Sequence, residues 1–193
     1  MPHRFQISRD SQALFITLNT KNRLPVFRKD EIKKVLCDAI DEARKSAGLL
    51  LFAYVIMIDH LHVITDQPKP ISEVLRVLKG ITARRVIDYL KERNYSVSLA
   101  KLQHEVRDRN YRYSLWQTEK NVYPIFSEGL FMQKVNYTHN NPLRAGMVER
   151  ATDYRYSSAR ILQRCLLDDE PPAYGYRSNN LAKGQVWGVA QDR

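Results

Sequence analysis

The sequence predicts an α+β fold of the ferredoxin-like, split βαβ kind: an antiparallel sheet with helices packed on it. Three observations carry that expectation. Apolar patterning switches between strand and helix periods in the order β-α-β-β-α-β-α. The second and third strand-like runs are separated only by Ile58 and Asp59, a link tight enough to join neighbouring strands. Helical segments follow the first and third strands, as two crossover units around a central strand pair require.

Residues 4–18 alternate loosely and end in Ala13-Leu14-Phe15-Ile16-Thr17-Leu18, the expected first strand. Residues 19–25 form a polar loop. Between 29 and 46, Ile32, Val35, Leu36, Ala39, Ile40 and Ala43 recur at helical spacing, with Gly48 as the stop. Residues 49–57 are almost continuously apolar and read as a strand, with 60–65 as its neighbour. After the break Gln67-Pro68-Lys69-Pro70, Ser72 opens a second long helix that ends near Asn94. Its core face is Val74, Leu75, Leu78, Ile81, Val86 and Leu90.

Residues 95–112 are polar and weakly patterned and are expected to form a loop, while 113–117 and 122–126 read as short strand pieces. Ser127-Glu128 opens a third helix anchored by Phe131, Met132, Val135 and Val148, which Pro142 is expected to end or kink. From Asp168 the chain is rich in Pro, Gly, Asn and Tyr without a period, the pattern of an extended, partly disordered tail. The expected organisation is one domain over 1–165 and a C-terminal extension over 166–193.

A chain of 193 residues is long enough to bury a core as one domain. No apolar run approaches the roughly 18 residues of a membrane span, and residues 1–6 lack the apolar centre of a signal peptide. Two cysteines, Cys37 and Cys165, are too few for a disulfide scaffold or a cysteine zinc site, so the cytoplasm is the expected compartment. The formal charge of +10 suits a polyanionic partner, most often nucleic acid.

Two stretches carry residue types that do chemistry. In Ile56-Met57-Ile58-Asp59-His60-Leu61-His62-Val63-Ile64, strand alternation sends both imidazoles to one face, about 7 Å apart at the backbone. Such a pair can converge on one divalent ion, or be two ordinary surface or core histidines. Asp59 falls on the opposite face of the strand and is not expected to join them. In Lys134-Val135-Asn136-Tyr137-Thr138-His139-Asn140-Asn141-Pro142, helical spacing puts Tyr137 and Asn141 on one face. An amide oxygen suits a hard cation, and a tyrosine beside it is a nucleophile for phosphate. The plainer alternative packs Tyr137 against the sheet and lets Asn141 cap the helix.

With these residues in place, a resemblance becomes specific. The His60-Leu61-His62 element resembles the histidine–hydrophobic–histidine (HUH) motif of single-tyrosine transposases. Phe52-Ala53-Tyr54-Val55-Ile56-Met57 resembles the strand leading into that motif. Ser114-Leu115-Trp116-Gln117, Tyr137-Thr138-His139-Asn140-Asn141-Pro142-Leu143-Arg144-Ala145-Gly146 and Asp153-Tyr154-Arg155-Tyr156-Ser157-Ser158 are similar to the REP-associated tyrosine transposase branch. The likeness spans about residues 5–160 in order. Ile58-Asp59 departs from the commoner Pro-Asn, and residues 119–124 depart from the pattern after Trp-Gln.

That resemblance implies a ferredoxin-like, usually dimeric enzyme that cuts and joins single-stranded DNA beside hairpins, working at the nucleoid. It implies Tyr137 as the nucleophile, and His60, His62 and Asn141 as ligands of Mg²⁺ or Mn²⁺, with His139 an alternative third ligand. Lys134, Arg144, Arg84 and Arg85 are candidates for phosphate contacts, and Tyr111, Tyr113 and Trp116 for base stacking, although each of these three rings fits the core more readily. Three other readings stay open. They are a replication-initiator or relaxase-type nickase, a repeat-DNA binding protein without catalysis, and a metal hydrolase of small substrates.

Overall fold

The computed structural model describes residues 12–103 and 112–163. Four strands, β1 (Ala13–Asn19), β2 (Leu51–Ile56), β3 (His60–Asp66) and β4 (Asn121–Ile125), form one antiparallel sheet in the order β2-β3-β1-β4. Four helices, α1 (Asp30–Ala47), α2 (Ile71–Glu92), α3 (Ser96–Leu102) and α4 (Glu128–Arg144), surround it. This is the split βαβ arrangement that the patterning predicts, with the β2–β3 hairpin between two crossovers.

Each long helix has a local cause. Helix α1 begins with Asp30 and Glu31, which suit its positive N-terminus, and stops at Gly48, whose φ of 69° is a conformation glycine adopts without strain. It and α2 pack together on one face of the sheet. There Leu14, Ile16 and Leu18 of β1 and Leu61 and Val63 of β3 meet Leu36, Ile40, Leu78 and Val86 in the main core. Helix α4 starts at Ser127, whose hydroxyl accepts from the Leu130 amide, and lies over β2 and β3 on the opposite face. A smaller core forms beneath it from Phe15, Phe52, Ile64, Ile125 and Phe131.

Three local expectations are corrected. Residues 96–102 form helix α3 rather than loop, closed down by Leu102, which is fully buried in the main core. Residues 113–117 make only isolated bridges, Gln103 with Tyr113 and Thr20 with Trp116. Pro142 does not end α4, which continues to Arg144. Placed in the last turn, the proline removes one amide donor, and the carbonyls of Asn141, Pro142 and Leu143 are taken up by the amides of Ala145, Met147 and Gly146.

The segment 154–158 straps the outer edge of β2. Val55 bridges Ser157, the Ile56 amide donates to the Tyr156 carbonyl at 2.9 Å, and the Tyr154 hydroxyl donates to the Ile56 carbonyl at 2.7 Å. Its Tyr-Arg-Tyr-Ser-Ser run therefore closes a sheet edge that would otherwise expose unpaired backbone. Cys165, Tyr111, the start of the predicted first strand, the 165/166 boundary and the tail lie outside the described residues.

Candidate active site

Alternation along β3 separates structure from chemistry. Leu61 and Val63 enter the main core, while His60 and His62 emerge on the α4 face. His62, almost fully buried, sits opposite Thr17 in the β1–β3 register, with its Nδ1 2.9 Å from the Thr17 hydroxyl. Its ring stacks on Phe15 with centroids 5.2 Å apart and planes 22° from parallel. The His60 ring lies 4.8 Å from that of His62, at 75°.

Asp59 does what the sequence did not predict. Its carboxylate takes the His60 Nδ1 at 2.6 Å and the Arg23 Nε at 2.9 Å. Strand alternation fails at this residue because it belongs to the turn. The Thr20 amide and hydroxyl both donate to the Asp59 carbonyl at 2.9 Å, holding its backbone so that the side chain turns towards the imidazole. Arg23 reaches Asp59 from a left-handed backbone pair, Asn22 and Arg23 with φ of 52° and 54°, and also donates to the Asn19 side chain.

With both Nδ1 atoms engaged, the Nε2 atoms are the ones that would face a ligand, and the partners of Nδ1 fix ring orientation. Burial pushes the His62 imidazole down to about 3, and the neighbouring His60, Arg23 and Lys134 charges act in the same direction. Burial also lowers His60, against the opposing pull of Asp59. Both rings are therefore neutral near pH 7, the form that coordinates a metal.

Helix α4 brings Tyr137 to this pair from the same chain. Its ring meets His62 edge-on at 5.4 Å and Phe15 at 5.9 Å, and stays about one-third exposed (37%). Asn141, one turn further on, hydrogen-bonds His60. Lys134, one turn back, places its ammonium 6.0 Å from the Tyr137 ring centre, and the Arg144 guanidinium lies 5.3 Å away. His139 points elsewhere, with its Nε2 2.9 Å from the Ser158 hydroxyl in the edge strap.

The remaining expected DNA-contact residues are not part of this cluster. Trp116 is buried against Phe27 and donates its indole N–H to Thr82 at 2.9 Å, so its ring is occupied as core and cannot stack on a base. Arg84 and Arg85 stand on α2, across the sheet from the histidines, where Arg85 forms a two-point pair with Glu42 of α1. Tyr113 packs at the edge of the main core. On α2, Lys79 donates to the Gln117 and Glu119 carbonyls at 2.8 and 3.1 Å and so anchors the approach to β4.

An open cleft of about 470 Å³ lies over the site, walled by Phe15, Thr17, Arg23, His60, His62, Asn121, Tyr123, Lys134 and Tyr137. Among the described residues no carboxylate lines it. Among the described residues no three His, Cys, Asp or Glu side chains gather as a metal site. A cation here would have two neutral imidazoles and the Asn141 amide, a set that suits a hard divalent ion with open positions for phosphate oxygens. Thr17, Arg23, Asn121 and Tyr123 carry no sequence signal of their own, since strand register and loop closure assemble them.

Comparison with known proteins gives a family and a fold. The family described as "Transposase IS200 like" matches residues 10–125. The fold is similar to the structure of a REP-associated tyrosine transposase bound to a REP hairpin, with a TM-score of 0.58 and 17% identity over 100% of this chain and 92% of that one. A crystal structure of a chain assigned to the transposases, from Deinococcus radiodurans R1, aligns at a TM-score of 0.44 and 23% identity, covering 72% of this chain and 96% of that one. No curated protein matches the sequence.

Proposed function

The chain belongs to the IS200-like transposase family, and from that premise we propose that it cleaves and rejoins single-stranded DNA beside hairpins through Tyr137. The observation that carries this reading is the Tyr137 ring 5.4 Å from His62, with the cations of Lys134 and Arg144 on its flanks. The hairpin carried by the similar REP-associated transposase structure supports the substrate class.

Tyr137 Oη attacks the scissile phosphorus in line. The Oη–P bond forms as the P–O3′ bond breaks, leaving a 5′-phosphotyrosine and a 3′-oxygen. The phenol's proton is released to solvent and the departing oxygen takes one up as a 3′-hydroxyl. The same hydroxyl, or that of another strand, reverses the step, so no nucleotide cofactor is consumed. Lys134 and Arg144 hold the phosphate near Tyr137 by charge. Asp59 and Thr17 hold the imidazoles of His60 and His62, which with Asn141 would bind Mg²⁺ or Mn²⁺. Bound there, the ion withdraws charge from the non-bridging phosphate oxygens.

The reading assigns catalysis to a domain over 1–165, in the nucleoid. Tyr137 and the histidines meet within one chain, so this catalytic set does not require the homodimer that the resemblance implies. No helix among the described residues is long and apolar enough to cross a membrane. The test uses a 3′-labelled hairpin oligonucleotide with single-stranded flanks, with Mg²⁺ or Mn²⁺. Wild type is expected to form a denaturant-stable protein–DNA adduct and Tyr137→Phe none, while still binding the DNA. An adduct on Tyr137→Phe removes this tyrosine from the reaction. Nicking without rejoined product favours the nickase reading.

A further inference from the structure

Helix α4 covers only part of its face of the sheet. It lies mainly over β2 and β3 and leaves part of the strip over β1 and β4, at Thr17, Asn121 and Tyr123, open. The β1–β4 register pairs Phe15 with Tyr123 and Thr17 with Asn121, so these four side chains share that strip. Tyr123 is 61% exposed, the most exposed aromatic ring among the described residues, yet it stands in the wall of the catalytic cleft. A single exposed tyrosine on an edge strand needs no explanation by itself. This one has a specific neighbour.

The Lys134 ammonium lies 5.2 Å from the Tyr123 ring centre, 4.9 Å from Phe15 and 6.0 Å from Tyr137. No carboxylate pairs with it among the described residues. One cation thus bridges the reactive tyrosine and a solvent-facing aromatic platform, in a cleft whose described walls carry no carboxylate. That combination is the chemistry of a single-strand site: a positive charge for the backbone and a π-face for an unpaired base.

Resting on the proposed function, we infer that Tyr123 is the stacking platform for an unpaired base next to the scissile phosphate, with Lys134 holding the intervening backbone. The platform sets which nucleotide is presented to Tyr137, because a base seated on Tyr123 fixes the position of the phosphate attached to it. Asn121, two residues away on the same face, lies where its amide can read the edge of the seated base.

The test compares binding of a fluorescent single-stranded dT 20-mer with that of a 20-residue abasic strand of the same charge. Tyr123→Ala is expected to weaken binding of the dT strand by about 5- to 150-fold, the range of one lost stack, and to leave the abasic strand nearly unchanged. Tyr123→Phe, which keeps the ring, restores the dT affinity. Equal losses on both strands, or no rescue by phenylalanine, overturn the platform. So does unchanged dT binding by Tyr123→Ala, even while wild type still forms its Tyr137 adduct. A wild type that binds neither strand and forms no adduct overturns the functional reading together with the platform.

Discussion

The two faces of the sheet use the same strands for opposite purposes. On one, α1 and α2 close over β1 and β3, and Leu14, Ile16, Leu61 and Val63 are almost wholly buried. On the other, α4 lies mainly over β2 and β3, and residues one position away along those strands are Phe15, Thr17, His60 and His62. The closed face gains stability from buried apolar surface. The open face keeps Tyr137 exposed and His60 and Lys134 partly so above a buried His62, and gives up apolar burial to do so. The proposed site sits where packing is incomplete, on a strand whose rigidity comes from its other side.

Adjacent substitutions on β3 separate the two roles most sharply. His62→Ala is expected to abolish adduct formation and cleavage while losing less stability than Leu61→Ala. Leu61→Ala, by emptying a core position, costs about 2–5 kcal/mol in denaturant unfolding. Full cleavage by His62→Ala in the presence of a chelator would show that the open face does not bind metal. Next in size is the residue behind His60. Asp59→Ala frees Nδ1 and should lower metal affinity or cleavage about 10- to 100-fold, read by titrating Mn²⁺ against activity.

A pH series distinguishes the faces by a different route, because the open side of β3 also carries Asp66. Burial raises the Asp66 carboxyl to about 6, above its usual 3.8, so its contribution is present below about pH 4 and is lost as pH rises through 6. His62 has the opposite sign. Its pKa falls from 6.5 to about 3, so stability is full above 6.5 and is lost as pH falls towards 3. Asp66→Asn, which can keep the acceptor for the Leu50 amide, should raise stability at pH 7 by on the order of 1–3 kcal/mol. It should leave only the acid-side decline, which urea midpoints at pH 4, 5.5 and 7 would follow. A variant less stable than wild type at pH 7 would contradict the sign given for Asp66. The smallest effect is at Lys134. Lys134→Ala should reduce the salt dependence of single-strand binding by about one phosphate contact, a slope change near 0.7. An unchanged slope would mean that Lys134 does not face the backbone.

Much of this is legible in the sequence alone. The strand and helix order, the Gly48 stop, the Ser127 cap and the shared face of Tyr137 and Asn141 all follow from local spacing. The misses have one physical source. Trp116 is open from its sequence to either a core or a stacking role, and Phe27 and Thr82 enclose it as core. Arg85 reads as part of a basic helix face, yet Glu42 of another helix neutralises it. Asp59 was assigned by strand alternation to the wrong side, because a turn held by Thr20 redirects it.

The sequence alone therefore determined the periodicities: two imidazoles on one side of a strand, a tyrosine and an amide on one side of a helix, and a basic chain to meet a polyanion. Those features depend on residues two to four positions apart, a distance over which backbone geometry dictates direction. Tertiary structure decided which partners meet. It set Thr17 against His62 across 45 residues, brought Tyr137 over the same ring, and left Tyr123 uncovered at the edge. Sheet register and the reach of α4 govern such contacts, and neither is encoded in any short stretch of the chain.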